Sequence, residues 1–344
     1  MLKQRLKYLT KLCVAYTLYY SGFLKIVSSV LLNKCSVVLM YHRVLPVSSF
    51  NKTYSNSAII VSTNTFEKHV NFLKKNFNVI SLDEFEQHIN IHGSYPSKSC
   101  LVTFDDGWFD NYEYALPVLA KKGVPATIFL PYNYIGTSQR FWQEELTALL
   151  HIICNDPGSE AIEFLNALPY RINQPDSNET RASDINECIR HIKGLGDQEI
   201  DDVLANARQL SAQGSKQHTN IDNYLDWNNV KDMMEKHIAF GSHCLSHRIL
   251  TGLSKDKMAA EIGESKTKIE DALSTPVKSI AYPNGNYNDD VLKTVKAAGY
   301  SLGFSTVSDH VGHTTNRYAI PRININDAAT KHIPLFYCRL LKIF

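Results

Sequence analysis

Two carboxylates stand side by side in the run Thr103–Gly107, whose sequence is TFDDG. The apolar, β-forming residues Ser99–Phe104 predict a buried strand that ends at Asp105. Ligands of α/β proteins gather at the carboxyl ends of strands, where one carboxylate can hold a metal ion while its neighbour acts as a base. A simple Asp-Gly turn explains the same residues, so this pair alone does not decide between the two interpretations.

Two imidazoles, His243 and His247, stand four residues apart just after the predicted strand His237–Gly241. In a helix or a tight turn this spacing brings both side chains to one side, where two ring nitrogens can chelate a divalent ion. Two polar surface histidines are the alternative. Together with one aspartate they make three protein ligands and leave a position open, which is typical of a catalytic metal site. The spare carboxylate can then take a proton from water.

Short apolar strands alternate with helices along most of the chain, which predicts a parallel α/β fold. The predicted strands are Ser36–Tyr41, Val79–Leu82, Ser99–Phe104, Ala126–Leu130, His237–Gly241, Val277–Tyr282 and Tyr300–Ser305. Residues 138–222 break the alternation because they are mostly helical and polar. We therefore expect a barrel domain over residues 35–137 and 223–330, a helical insertion over 138–222, and a C-terminal tail over 331–344.

Residues 1–34 predict an amphipathic helix, because apolar side chains recur at helical spacing with lysines and serines mainly between them. Such a helix can lie in a membrane interface or pack on the domain. A spanning helix and a cleaved signal peptide are further alternatives, although the segment is polar for a span and lacks an A-x-A-like cleavage site. We expect a cytoplasmic location or one at the periphery of the inner membrane, with signal-anchored export as the alternative.

Composition excludes some classes of function. The 344 residues carry a formal net charge of only +2, so no bulk electrostatic signal points to nucleic acid, and we expect no nucleic-acid partner. The seven cysteines are odd in number and irregularly spaced, which argues against a disulfide framework.

Taken in order, these motifs resemble the polysaccharide deacetylase family, carbohydrate esterase family 4, with its chitooligosaccharide-deacetylase-like domain. The resemblance extends from Tyr41–Val44 to Pro321–Ile323 and is interrupted by the insertion. Residues 123–129 and 281–285 are also similar to the family. The resemblance implies a distorted (β/α) barrel of fewer than eight units, with its site at the carboxyl ends of the strands.

The resemblance also implies a function and a set of roles. Asp105 would be the general base, and Asp106, His243 and His247 would hold a divalent metal. Zinc is the default, but a His–His–Asp set also accepts cobalt, nickel or iron. The expected reaction is removal of N-acetyl groups from amino sugars of a polysaccharide or a lipid-linked glycan. The alternatives are a deformylase or deacylase of a lipid-linked sugar, and a catalytically inactive glycan-binding module.

The chain departs from the family pattern in several places. Cys244 replaces the hydroxyl residue that would follow the first histidine. In the third motif Pro283 matches, but Ala281 stands in place of the arginine and Asn284 in place of the aromatic residue. The backbone N–H of Asn284 can still serve as an oxyanion donor. Arg322 is our candidate to replace the missing arginine.

The final family motif, which supplies a histidine as general acid, has no clean match in this chain. We predict His313 for that role, with His310 as the alternative, and assign His42 a supporting or packing role. For substrate contact we predict that Trp108 stacks on a sugar ring, with core packing as the alternative. Tyr282 and Pro283 are our further candidates for contacts with the substrate.

Overall fold

The computed structural model describes residues 2–155, 158–172, 178–211 and 223–344. The chain forms two compact units. The first, which we name the barrel unit, comprises Met1–Phe50, Ser57–Thr137 and Asn223–Phe344. The second, the helical unit, comprises Asn51–Asn56 and Ser138–Asp222.

A parallel sheet forms the centre of the barrel unit. Its strands follow one another in the order β10-β1-β5-β6-β7-β8-β9, β4 pairs with the start of β5, and β2 pairs with β3 in a separate small sheet. The strands are β1 Val37–Tyr41, β2 Arg43–Leu45, β3 Ile60–Ser62, β4 Asn78–Val79, β5 Ser99–Phe104, β6 Ala126–Leu130, β7 Ile238–Ser242, β8 Ser279–Ala281, β9 Leu302–Phe304 and β10 Ile323–Asn324. Strands β1, β5 and β6 are apolar and buried along their whole length, as is typical of a parallel sheet covered on both faces.

The extended segment 320–324 joins the two edges of this sheet. The Ile320 N–H donates to the carbonyl of Gly303 in β9 at 2.8 Å, and Ile323 pairs with Leu39 of β1. The segment therefore hydrogen-bonds to β9 near its start and pairs with β1 near its end. This arrangement confirms the predicted fold class, a distorted (β/α) barrel with fewer than eight units.

Helices connect the strands of the barrel unit, and helix-capping side chains begin several of them, including Ser62, Ser81 and Asn288. The helices of the barrel unit are α1 Leu2–Tyr20, α2 Phe23–Leu31, α3 Thr63–Asn76, α4 Leu82–His92, α5 Leu116–Lys122, α10 Trp227–Met234, α11 Lys255–Leu273, α12 Asp289–Ala297, α13 Asp327–Thr330 and α14 Ile333–Leu340.

The helical unit has a core of its own. Its helices are α6 Trp142–Ile153, α7 Ser159–Ala167, α8 Asn178–Ile192 and α9 Asp197–Ser211. Leu146, Ile185 and Ala207 are fully buried in one apolar cluster that these helices build. Residues 156–157, 173–177 and 212–222 of the predicted insertion lie outside the described residues.

The two ends of the chain differ from the sequence prediction. The expected single N-terminal helix is two helices, because Gly22 adopts a left-handed φ of 78° between α1 and α2. Of the described helices, none by itself is long and apolar enough to cross a membrane, whereas Arg5–Tyr20 and Phe23–Lys34, bent by 80°, meet the length and composition required only as a pair. The expected C-terminal tail carries α14, and α14 packs against α1.

Candidate active site

The carboxyl ends of the parallel strands meet at one end of the barrel. Asp105 follows β5, and its N–H donates to the carbonyl of Tyr41, the last residue of β1, at 3.0 Å. His243 follows β7, and its N–H donates to the carbonyl of Leu130, the last residue of β6, at 2.8 Å. The strand register therefore places the aspartate pair and the first histidine at the same end of the barrel.

Asp106, His243 and His247 form a cluster of potential metal ligands. Their donor atoms all lie within 4.8 Å of one another, and no other such group of three occurs in the described part of the chain. Asp106 Oδ1 is 3.4 Å from His243 Nε2 and 3.3 Å from His247 Nε2. One carboxylate and two imidazoles at this separation are a donor set that divalent transition metals accept.

Hydrogen bonds orient two of these ligands. His243 Nδ1 lies 2.7 Å from the Ala281 carbonyl, which only accepts, so Nδ1 carries the hydrogen and Nε2 keeps its lone pair toward Asp106. Trp108 Nε1 donates to Asp106 Oδ2 at 3.1 Å. Asp106 Oδ1 is buried and accepts no hydrogen bond from any described residue. These three residues therefore fit a metal ion, since a buried carboxylate oxygen and an imidazole lone pair converge on one point.

The loop after β7 is neither the helix nor the simple turn that the spacing suggested. Cys244 and His247 have left-handed φ angles of 65° and 55°. The carboxylate of Glu261, on α11, accepts from the backbone N–H groups of Leu245 and Ser246 at 2.8 and 2.9 Å, and from the Ser246 hydroxyl. Glu261 thus holds a loop whose conformation costs free energy by itself. Sequence reasoning missed this residue because nothing local marks it.

Arg322 forms an ion pair with Asp105. Its Nη1 and Nη2 donate to the two carboxylate oxygens of Asp105, each at 2.7 Å, and its Nε donates to the Ser305 carbonyl at 2.9 Å. Both side chains are buried. The structure therefore places on the predicted base the arginine proposed as a replacement, and the bidentate geometry fixes the orientation of the carboxylate.

Charge pairing sets the ionisation of the site. Burial would raise the pKa of Asp105, but the Arg322 guanidinium outweighs it and lowers that pKa. Burial would also raise the pKa of Asp106, but the imidazoles of His243 and His247, whose Nε2 atoms lie 3.4 and 3.3 Å from its Oδ1, outweigh burial and hold that pKa well below its usual value. Burial would lower the pKa of His243, but the adjacent carboxylates of Asp106 and Asp105 outweigh burial and raise that pKa. Both aspartates are therefore anionic at neutral pH.

His42 lies beside this cluster. It follows β1, and burial lowers its pKa even though the charges of Asp106 and Asp105 oppose that change. Its Nδ1 is buried and has no hydrogen-bond partner among the described residues. The Asn111 side chain donates to the His42 carbonyl at 2.8 Å, and Asp110 accepts from the Val44 N–H at 2.8 Å. The residues after TFDDG therefore hold the loop that carries His42, a role that the sequence did not suggest.

The histidines predicted as the general acid are elsewhere. His313 is exposed, two residues after Val311, and Val311 pairs with Ser36 just before the start of β1. That is the opposite end of the strand from His42, so His313 does not share the site. His310 Nε2 donates to the Leu340 carbonyl at 2.7 Å. Both predictions are corrected for the same reason, because order along the chain does not reveal at which end of a strand a loop lies.

The residues predicted to contact substrate are mostly buried. Trp108 has no exposed surface; the Arg43 guanidinium lies 4.2 Å from its ring centroid, and the Tyr224 ring stacks on it with centroids 4.7 Å apart. Tyr282 is also fully buried, and its hydroxyl donates to the Tyr318 carbonyl. Pro283 is buried as well. Aromatic rings need an exposed face to stack on a sugar, so the structure argues against that role for Trp108 and Tyr282.

Asn284 is exposed on the short turn Pro283–Gly285 that follows β8. It has a left-handed φ of 58°, and its carbonyl accepts from the Thr306 hydroxyl at 3.3 Å. Gly285 has a φ of +80°, and a Cβ atom there would lie 2.0 Å from Thr306 Oγ1. The turn begins two residues after Ala281, whose carbonyl orients His243, so Asn284 is held at the same end of the barrel as the metal ligands.

The comparisons with known proteins agree with this fold. The chain is 26% identical over 306 residues, 87% of this chain and 81% of the relative, to a poly-beta-1,6-N-acetyl-D-glucosamine N-deacetylase of Staphylococcus aureus. Its fold is similar to that of the deacetylase PplD of Streptococcus pyogenes, solved in complex with acetate (TM-score 0.56, 18% identity, 86% of this chain and 94% of that one). IcaB from Ammonifex degensii is also similar (TM-score 0.56, 17% identity, 88% and 97%).

A sequence model of one family matches the chain over two stretches, residues 92–201 and 197–303, which together span more than half of it. The family is described as polysaccharide deacetylase. The matched stretches contain Asp105, Asp106, His243 and His247. The chain therefore belongs to the polysaccharide deacetylase family.

Proposed function

We propose that this protein is a metal-dependent N-deacetylase that removes acetyl groups from amino sugars of a glycan. The observation that carries the proposal is the anionic Asp105, held by Arg322 directly beside the Asp106–His243–His247 cluster. The substrate class is supported by the staphylococcal relative, which is named as acting on poly-beta-1,6-N-acetyl-D-glucosamine. We propose zinc as the metal, with cobalt, nickel and iron as the alternatives that this donor set accepts.

Asp106, His243 and His247 would hold the metal. When bound there, a divalent ion supplies Lewis-acid polarisation of the amide carbonyl and makes a water molecule more acidic. The Trp108 indole and the Ala281 carbonyl keep Asp106 and His243 in the orientation that binding requires. Because these partners are buried, little reorganisation accompanies binding.

The remaining chemistry belongs to residues around that cluster. Asp105 takes the proton from the attacking water, and Arg322 keeps its carboxylate ionised and in position. The backbone N–H of Asn284 donates to the oxyanion that forms as water adds to the acetyl carbonyl. The C–N bond then breaks, so that acetate and a free amino sugar depart.

The leaving amine needs a proton, and we propose His42 as its donor. Of the histidines considered for this role, His42 alone has an imidazole that interacts electrostatically with both Asp105 and Asp106. His310 is bonded to the Leu340 carbonyl, and His313 lies at the other end of β1. General-acid catalysis contributes about 10²- to 10⁴-fold to a rate, so loss of this group is measurable.

The first experiment measures acetate released from oligomers of β-1,6-linked N-acetylglucosamine, together with the bound metal per chain. We expect about one transition metal per chain and acetate release by the wild type. Asp105→Asn should keep the metal and lose activity, whereas His243→Ala should lose both. Wild-type protein that binds the oligomer and releases no acetate, even when loaded with zinc or cobalt, would refute the enzyme proposal and favour an inactive glycan-binding module.

Two histidine variants test the assignment of the acid. We expect His42→Gln to lower kcat by about 10²-fold or more while the metal content stays the same. His313→Gln should leave kcat unchanged, because that side chain is exposed at the opposite end of the strand. Loss of activity in His313→Gln with full activity in His42→Gln would contradict the assignment.

A further inference from the structure

Exposed apolar side chains are concentrated on the two N-terminal helices. Fourteen large hydrophobic residues are exposed in the described part of the chain, and nine of them lie between residues 6 and 31. The nine are Leu6, Tyr8, Leu9, Val14, Tyr20, Phe23, Ile26, Val30 and Leu31. The other five are scattered between residues 47 and 307, so this concentration marks an interaction surface rather than ordinary surface composition.

Six of the exposed residues recur with the helical period. On α1, Leu6, Leu9 and Tyr20 recur along one side, and on α2 Phe23, Ile26 and Val30 are spaced by three and four residues. Phe23, Ile26 and Val30 are 48%, 63% and 69% exposed. We name these two sides the outer faces of α1 and α2.

Other side chains of the same helices pack on the rest of the barrel unit. Ala15 and Leu24 are buried. Tyr16 hydrogen-bonds His332 at 3.2 Å, and the Tyr19 ring contacts Tyr337 of α14 edge-on, with centroids 6.4 Å apart. Because these contacts hold both helices on the barrel unit, the outer faces are not the result of a frayed helix, and a partner would find them already formed.

The charge of this region has one sign. The first acidic residue of the sequence is Glu67, and eight lysines or arginines precede it. Arg5, Lys7 and Lys25 are exposed on these two helices, and Lys34 is exposed just after α2. Apolar side chains flanked by cations, with tyrosine among them, match the boundary between the acyl chains and the headgroups of an anionic bilayer.

We propose that the outer faces of α1 and α2 bind the surface of an anionic phospholipid bilayer and hold the barrel unit there. In this arrangement the two helices, which are bent by 80° at the break between them, lie in the interface and do not cross the membrane. A second copy of this chain fits the surface less well, because a symmetric contact would bring cations against cations. The proposal goes beyond the proposed function and does not depend on it.

The experiment is co-sedimentation of the full chain with vesicles. We expect binding to vesicles of phosphatidylcholine mixed with phosphatidylglycerol, weaker binding to phosphatidylcholine alone, and loss of binding as salt is added. Alkaline carbonate should release the protein. Resistance to carbonate would mean a spanning segment and would overturn the proposal. Absence of binding to both vesicle types, together with formation of a dimer in sedimentation velocity, would overturn it as well.

Matched variants connect the binding to the outer faces. Phe23→Ser/Ile26→Ser/Val30→Ser should weaken partitioning about tenfold or more. The control, Val47→Ser/Ile91→Ser/Ile162→Ser, removes the same number of exposed apolar side chains elsewhere and should bind like the wild type. Lys7→Gln/Lys25→Gln should lower binding to anionic vesicles only.

Acetate release from a soluble oligomer is measured in parallel. We expect it to be equal in the wild type and in the variants of the outer faces, so failure of the membrane proposal and failure of the deacetylase proposal give different results. Equal partitioning of the apolar variant, its control and the wild type would refute the membrane proposal whatever the activity.

Discussion

At the scale of single residues, the site depends on carboxylates that are buried and nevertheless anionic. Removing a carboxylate from water favours its neutral form, so each aspartate needs a compensating partner. The two oxygens of Asp105 accept hydrogen bonds from the Arg322 guanidinium. Asp106 contacts two imidazoles and accepts a hydrogen bond from the Trp108 indole. These partners determine which carboxylate can act as a base and which is available to a metal.

Replacing Arg322 by lysine should separate charge from geometry. A lysine keeps a positive charge but cannot donate to both oxygens of Asp105, so the carboxylate loses its fixed orientation. We expect kcat to fall about 10- to 100-fold while metal content stays the same. Arg317→Lys, at a partly exposed arginine that donates to the Ser301 carbonyl, is the matched control. Full activity in Arg322→Lys would show that charge alone suffices.

Replacing Trp108 by phenylalanine should weaken metal binding. Phenylalanine keeps an aromatic ring under the Arg43 guanidinium but removes the N–H that donates to Asp106. Loss of a hydrogen bond that orients a metal ligand typically costs about 10- to 100-fold in metal affinity. Competition with a chelating dye measures this, with Trp227→Phe as the control. An unchanged dissociation constant would show that packing, and not the hydrogen bond, is the function of Trp108.

At the scale of elements, loops with unusual backbone conformations carry the chemistry, while regular strands position them. Asp106, Cys244, His247 and Asn284 all have positive φ angles, which cost free energy in non-glycine residues. Each of these residues follows the end of β5, β7 or β8. The surrounding contacts, such as those from Glu261 to the loop after β7, maintain these conformations.

The turn after β8 offers a direct test at this scale. Gly285→Ala places a methyl group against Thr306 and at a φ of +80°, so the turn must shift and displace Asn284. We expect kcat to fall about tenfold or more, with metal content unchanged. Gly312→Ala is the control, because nothing lies within 4 Å of its added Cβ. Adding Thr306→Gly should partly restore the kcat of Gly285→Ala. If it does not, the strained φ is the only cause of the loss.

At the scale of the whole molecule, a buried histidine outside the site links several elements. His69 of α3 donates from Nε2 to the Thr330 carbonyl at 2.8 Å, and its Nδ1 accepts from the Tyr41 hydroxyl at 3.2 Å. The ring stacks on Phe336 of α14, with centroids 3.8 Å apart. Burial lowers the pKa of His69 from 6.5 to about 4.

Stability should therefore fall as the solution is acidified. The neutral imidazole is retained in the folded state down to about pH 4, whereas the unfolded chain binds a proton below about pH 6.5. The contribution of His69 is complete above pH 6.5 and is lost between pH 6.5 and 4, by about 3 kcal/mol in total. Urea unfolding at several pH values measures this loss.

The variant His69→Gln isolates this contribution. It cannot titrate, so its free energy of unfolding should depend less steeply on pH between 6.5 and 4 than that of the wild type, by about the same amount. Other titrating groups are common to both proteins and cancel in the difference. Parallel pH profiles for the two proteins would contradict the assignment to His69.

The sequence by itself determined the family, the parallel α/β architecture and the residue types of the candidate active site. Alternating apolar strands and helices are local patterns, and the motifs around Asp105–Asp106 and His243–His247 each lie within a few residues. Such features are readable because the period of apolar residues and the chemistry of adjacent side chains do not depend on distant contacts. The confirmed barrel fold and family membership both rest on them.

Only the tertiary structure decided which distant residues join these motifs. Arg322 reaches Asp105 across 217 positions of sequence, and His42 lies beside the aspartates while His313 does not. Burial of Trp108 likewise depends on Arg43 and Tyr224, neither of which its neighbours in sequence reveal. The physical reason is that parallel strands bring their carboxyl ends together whatever their separation along the chain, so side chains meet there through strand order and register, which no local pattern encodes.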